Sequence, residues 1–274
     1  MVKKTANQYA EILMSCVEEK YFNAEAVWEY HSLMRIISGE MKIVQSDNSY
    51  TFQAGDTLLV PRNQLSTVIK RPKDGQPYKS ILVTLRQERL KEYYTQKKFR
   101  DIRPSEQKIK TFSTSPLLDS YFASMIPYFE LEKELPGELI SIKIEEAITI
   151  LRSLDTEIDG LLADFSEPGK IDLTGFMEKN FMFNMPLEKF GYLTGRSVAT
   201  FNRDFRKAFG VTPQKWLTQK RLESAYYQLT EKHRKPVDVY IEAGFENLSH
   251  FSFAFKKHFG YAPTELQAQI LNRR

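Results

Sequence analysis

The sequence predicts an α+β multidomain chain: a small N-terminal β-barrel with appended helices, followed by an all-α C-terminal domain. Three observations predict it. Short apolar stretches separated by turn residues run from about residue 27 to 85, helix-period stretches replace them beyond residue 86, and the last third repeats itself at an offset of 50 residues. A length of 274 residues suits about two domains.

The barrel is read from "LMRIIS" and "MKIV" around Ser38-Gly39-Glu40, then "SYTF" running into Ala54-Gly55-Asp56 and "TLLV" ending at Pro61. "STVIK" and "SILVTL" follow, separated by "RPKDGQPY". Short strands with turn signals at this spacing suit a small barrel or sandwich. "QERLKEYYTQKKF" is charged and helix-prone. "SPLLDSYFASMIPYFELEKEL" is apolar at 117, 118, 121, 122, 125 and 126, with Pro116 at a helix start. The next stretch carries Leu139, Ile142, Ile144, Ile148, Leu151 and Leu154. These helices are more apolar than one solvent-facing helix requires. Packing on the barrel and a dimer interface both account for the surplus and are compatible. "DFSEPGKID" (164–172) reads as a linker. The expected domains are therefore 1–165, with dimerisation helices at about 116–165, and 166–274.

At the offset of 50, Pro186 matches Pro236, Phe201 matches Phe251, Phe205 matches Phe255 and Lys207 matches Lys257. Phe209 matches Phe259, Gly210 matches Gly260 and Pro213 matches Pro263. In each copy a proline opens a short helix, a glycine-containing turn follows ("TGRS", "AGFEN"), and a second helix runs over about 198–209 or 248–259. Gly210 and Gly260 stand where helices end. Two short helices about a tight turn, the second with surplus basic residues, form the helix-turn-helix pattern. Between the copies, "TPQKWLTQKRLESAYYQLTE" places Trp216, Leu217, Leu222, Ala225 and Leu229 on a buried stripe. A helix of this length spans about 25 Å. Two units on such a strut suit adjacent major grooves, about 34 Å apart, if the DNA bends modestly.

Charge agrees with a nucleic-acid partner. Residues 170–274 hold 17 Lys/Arg and 10 Asp/Glu, a net of +7, while the remainder is mildly acidic at −3.

The tandem units, "TGRSVATFNRDFRKAFGVTPQKWL" and "AGFENLSHFSFAFKKHFGYAPTE", resemble the DNA-binding domain of the AraC/XylS transcriptional regulators over roughly 172–268. The N-terminal half, with "SGEMKI", "SYTFQAGDTLLVPRNQLSTV" and "IKIEEAI", is similar to the cupin-type sensor domain of many members. Its texture is nearest the branch of the type III secretion activator. The resemblance implies a sequence-specific regulator, expected to be an activator, acting on double-stranded DNA and RNA polymerase. Its N-terminal domain would answer to a small molecule or a protein partner.

In copy one, Val198, Phe201, Phe205 and Phe209 are expected to be buried. Ala199, Asn202, Arg203 and Arg206 lie on the opposite face. Arg203 is the leading base reader, because an arginine bonds guanine O6 and N7 together; Asn202 suits adenine. The resemblance agrees, since positions early in this helix contact bases. Thr200, Arg206 and Lys207 suit phosphate. In copy two the core stripe is Leu248, Phe251, Phe255 and Phe259. Ser249, His250, Ser252, Phe253 and Lys256 point outward. The serines suit base edges or phosphate, and His250 either. Phe253 replaces Arg203 and either meets a thymine methyl or packs on the linker helix, with the first favoured. Ser197, Asn247 and Lys257 complete the expected DNA-binding set.

Other classes fare worse. No apolar run approaches the ~20 residues that span a bilayer, so no membrane partner is expected. The N-terminus lacks the apolar region of a signal peptide. Cys16 is the sole cysteine, which excludes an internal disulfide and suits a cytoplasmic home. A cupin barrel can serve as a metal-dependent enzyme, and one fused to a DNA-binding module is the alternative reading. It needs clustered histidines. His233, His250 and His258 lie in the last third, leaving only His31 for the barrel. No enzyme activity, cofactor or metal is therefore expected. Trp28, Tyr30, His31 and Arg35 are candidates for lining an effector pocket.

Overall fold

A computed structural model describes residues 8–9, 11–18, 22–95, 107–130, 135–245 and 247–266. The chain forms two compact units, residues 1–166 and 167–274.

Among the described residues, the first unit is built on ten strands: β1 (Gln8–Tyr9), β2 (Ile12–Val17), β3 (Phe22–Trp28), β4 (His31–Ser38), β5 (Glu40–Val44), β6 (Ser49–Gln53), β7 (Thr57–Val60), β8 (Gln64–Arg71), β9 (Tyr78–Leu85) and β10 (Lys110–Phe112). They make a six-stranded sheet, β1-β2-β9-β4-β7-β10, and a four-stranded sheet, β3-β8-β5-β6, with antiparallel pairing throughout. The period of two sorts β9 by face. Tyr78 and Leu82 join Met34, Ile36, Met41, Ile43, Phe52 and Leu58 between the sheets. Ile81, Val83 and Leu85 join Ile12, Leu33 and Leu59 on the other side, under helices.

Those helices are α1 (Gln87–Thr95), α2 (Pro116–Met125), which continues as a 3₁₀ turn Ile126–Glu130, α3 (Gly137–Leu154) and α4 (Asp159–Leu162). Leu90, Tyr93, Leu118, Tyr121, Phe122, Ile144, Ala147, Ile148 and Leu151 close the second core. Most of the apolar surplus seen in the sequence is spent here. Arg152 grips Asp159 with two bonds of 2.8 and 3.0 Å, and the Tyr94 hydroxyl donates to the same carboxylate at 2.6 Å. Among the residues that remain outside are Leu117, 52% exposed, and Ile142, 60% exposed, which flank one groove with Ile150.

The sheets start earlier than the sequence suggested. β1 and β2 precede residue 27, and β3 begins before it. "FNAEAVW" does alternate in burial, but alanine, asparagine and glutamate are weak strand formers and conceal the period.

The second unit contains α5 (Leu173–Asn180), α6 (Leu187–Leu193), α7 (Val198–Phe209), α8 (Pro213–Thr230), α9 (Pro236–Glu242) and α10 (Leu248–Phe259). Asp172 caps α5, accepting from the Thr174 and Gly175 amides. Its interior is two cores strung along α8. One holds Leu173, Met177, Phe190, Phe201, Phe205, Trp216 and Leu217; the other holds Leu222, Ala225, Leu229, Val239, Phe251 and Phe255.

The stretch 164–172 is mostly absorbed by its neighbours. Arg62, buried in the first unit, donates from Nη2 to the carbonyls of Asp164 (2.8 Å) and Ser166 (2.6 Å). In the second unit, Arg196 donates to the Ile171 carbonyl at 3.0 Å and Lys170 pairs with Asp204 at 3.3 Å.

Candidate nucleic-acid interface

The two repeats fold alike. Residues 201–210 and 251–260 run through the same order of buried, half-buried and exposed positions, residue for residue. Both second helices are capped by the side chain four residues before the first buried phenylalanine. Ser197 accepts from the Thr200 amide and Asn247 from the His250 amide at 2.8 Å. Both end on a left-handed glycine, Gly210 and Gly260. The phenylalanines of each helix stack inward. Phe205 and Phe209 rings lie 4.3 Å apart and meet Trp216; Phe255 and Phe259 lie 4.5 Å apart, with Tyr226 beside Phe259. The turns differ in residue type and not in length: Phe245 stands where the first copy has Gly195, and its ring packs on Phe251 and His250.

Val198 and Leu248 depart from the expected core stripe, since each is 38% exposed. The buried face starts one turn later, at Phe201 and Phe251, so the first turn of each helix carries its side chains outside the core.

That leaves an outward face on each helix. On α7, Ser197, Ala199, Arg203, Arg206 and Lys207 are exposed, with Thr200 and Asn202 half-buried. On α10, Asn247, Ser249, His250, Phe253, Lys256 and Lys257 are exposed, with Ser252 half-buried. Phe253 is 70% exposed, so it does not pack on the linker helix. Arg203 bonds its neighbour Asp204 at 3.4 Å from Nε and Nη2. Asp204 is shared with Arg196 and Lys170, and Arg196 foremost holds its carboxyl below the usual carboxylate range. Beside this carboxylate the Arg203 side chain stays 74% exposed. Asn202 donates to the Val198 carbonyl at 2.9 Å, so its amide turns back along the helix. Ser197 and Asn247 serve the fold as caps in addition to standing at the edge of this face.

The proposed effector pocket is not assembled. Trp28 lies in the inter-sheet core and donates to Ser66 Oγ at 2.8 Å. Arg35 is on the helix-facing side, bonded to Thr57 Oγ1 (2.8 Å) and Asp119 (2.6 Å). Tyr30 lies under the Arg86 guanidinium. His31 is 1% exposed and accepts the Arg62 amide at Nδ1, 3.3 Å away. Burial, and secondly the Arg62 charge, lowers the His31 pKa to about 3; Asp164 opposes. Trp28 belongs to β3 of the four-stranded sheet, Tyr30 lies in the connection after it, and His31 and Arg35 share the helix-facing side of β4 in the six-stranded sheet, so the four do not converge.

The sequence reading passed over two buried arginines, Arg62 and Arg221. Arg221 had a visible signal: it stands midway between Leu217 and Ala225 on a four-residue period, an arginine inside an apolar stripe. Arg62 has none, because its partners are backbone carbonyls far along the chain.

Residues 193–269 match the family model described as a helix-turn-helix domain, and residues 31–158 match the ExsA N-terminal regulatory domain. The thermoregulatory protein LcrF of Yersinia pestis is 28% identical over 156 residues, 56% of this chain and 57% of that protein. The chain thus spans little more than half the length of LcrF. The HTH-type transcriptional regulator ExsA of Pseudomonas aeruginosa is 24% identical over 238 residues, 84% of this chain and 83% of ExsA. Among solved structures, a single-residue variant of ToxT from Vibrio cholerae in its apo form aligns over 96% of this chain and 98% of that one at 12% identity, with a TM-score of 0.47. No helix among the described residues is long and apolar enough to cross a membrane. The chain thus carries an AraC-family helix-turn-helix domain behind an ExsA-type N-terminal regulatory domain.

Proposed function

We propose that this chain is a sequence-specific transcriptional activator that binds double-stranded DNA through α7 and α10 in adjacent major grooves and engages RNA polymerase. The observation that carries the reading is the pair of matching helices on one strut, each burying its phenylalanines and turning basic residues outward. Arg203 reads guanine and Asn202 adenine. Phe253 meets a thymine methyl; Ala199, Ser249 and Ser252 line the base edges. Thr200, Arg206, Lys207, Lys256 and Lys257 hold phosphates, as does His250, while Ser197 and Asn247 present the helix N-termini to the backbone. Relatives named as activators support the direction of regulation, among them VirF of Yersinia enterocolitica and RhaS of Mannheimia succiniciproducens.

The first unit is the regulatory one and carries a dimer contact on α2 and α3. Its effector is a small molecule or a protein. The inter-sheet space is filled by fully buried Ile36, Met41, Ile43, Leu58 and Tyr78, which favours an effector acting on the surface of this unit.

Fluorescence anisotropy on promoter fragments tests the core of this. Binding should fall steeply with salt and differ between sequences by roughly 10³-fold or more. Equal affinity for all sequences at every salt concentration rules the reading out.

A further inference from the structure

The two cores of the second unit do not merge. One ends on α8 at Leu217 and the other begins at Leu222. Arg221 lies in the gap between them and is buried. Its Nε donates to the Phe181 carbonyl at 3.0 Å and Nη2 to the Phe183 carbonyl at 2.8 Å. Nη1 donates to Asn184 Oδ1 at 3.3 Å and to the Gly244 carbonyl at 3.4 Å. Residues 181–184 lead into the first helix-turn-helix. Gly244 is in the turn of the second. One guanidinium therefore joins both binding units and the helix between them.

Gly244 shows how close the joint is. Its φ is +76°, a conformation that favours glycine, and a Cβ there would come within 3.0 Å of both Arg221 Nε and the Met182 carbonyl. The backbone of the second turn rests directly on the loop before the first helix-turn-helix.

We propose that Arg221 is a positioning residue that sets the angle between the two recognition helices, and thereby the spacing of the DNA elements the protein accepts. It touches no base. A planar fork with five donors suits a joint made of several carbonyl groups, because it fixes direction as well as distance. Apolar packing on each side of the gap holds each unit together but constrains rotation about α8 less, since packing is less directional than hydrogen bonds. This inference rests on the DNA-binding reading above.

The test uses the full chain and a duplex that the wild-type protein enriches from a randomised pool. Three probes follow from it: the enriched duplex, the same duplex with one base pair inserted between its two elements, and a duplex keeping one element. Arg221→Met and Arg221→Lys are compared with wild type, with helicity and thermal midpoint recorded for each. The variants should bind the single-element duplex as wild type does and lose about tenfold on the enriched duplex. The penalty of the inserted base pair, large for wild type, should shrink in both variants, which a loss of stability alone would not produce. If Arg221→Met fails to fold, Arg221→Lys keeps the charge and a donor and carries the comparison. An unchanged insertion penalty in a folded variant overturns the joint alone. A pool from which wild type enriches nothing overturns the DNA-binding reading and the joint with it.

Discussion

Arg203 and Phe253 occupy the same position in two helices that are otherwise buried alike, and both side chains stand in the open. One offers a fork of hydrogen-bond donors, the other only an apolar ring. Arg203→Ala should therefore relax discrimination at a single base pair, at a cost of about 1–3 kcal/mol on the preferred site. Phe253→Ala should abolish a methyl preference. Replacing individual thymines of the bound sequence with deoxyuridine will weaken wild type at one position and leave Phe253→Ala indifferent there. If no deoxyuridine weakens wild type, Phe253 makes no such contact.

Lys207, next to Arg206 on the same exposed turn, has a different expected signature. Lys207→Ala should weaken binding to all sequences by a similar factor and lower the slope of log affinity against log salt by about 1. A loss confined to one sequence would make it a base reader instead.

The burial of His31 makes the first unit acid-sensitive. Its folded pKa, about 3, lies below the ordinary value of 6.5, so the unfolded chain binds the proton more readily. The stability is complete above pH 6.5 and drains away as pH falls toward 3, at up to about 1.4 kcal/mol per pH unit. Between about pH 7 and 5, wild type should lose about 2 kcal/mol more than His31→Asn, whose amide oxygen can accept the Arg62 amide. Urea midpoints at the two values provide the measurement; parallel losses would place the acid sensitivity elsewhere.

Ile142 and Leu117 remain exposed after the helices have covered the sheet. If α2 and α3 meet a second copy, wild type should sediment as a dimer at micromolar concentration and Ile142→Glu as a monomer with an unchanged melting temperature. A wild-type monomer with and without DNA removes the dimer from the proposal.

The second unit was legible in the sequence because it is written twice. Phe201, Phe205 and Phe209 recur 50 residues on as Phe251, Phe255 and Phe259, which marks the helical stripe, and the cap residues Ser197 and Asn247 are types that favour helix starts. The first unit was less legible. Its early strands use alanine and glutamate, and its pocket candidates, near in sequence, fall on two sheets and the connection between them. Arg62 was hidden for another reason. It bonds backbone carbonyls, and a carbonyl has no side-chain identity to leave a trace in the sequence. Val198 and Leu248 were expected to be buried because periodicity predicts a face and not where the neighbouring helix stops covering it.

The absorption of residues 164–172 sets the length of the tether between regulation and DNA binding. With Asp164 and Ser166 held by Arg62, and Gly169, Lys170 and Ile171 held against the second unit, Glu167 and Pro168 are left between the two grips. Two such residues extend to roughly 7 Å, and the proline stiffens the path. Loosening the grip of Arg62 would return residues 164–166 to the tether and more than double its reach. The volume open to the DNA-binding unit would grow with the cube of that reach, which would dilute that unit around its regulator.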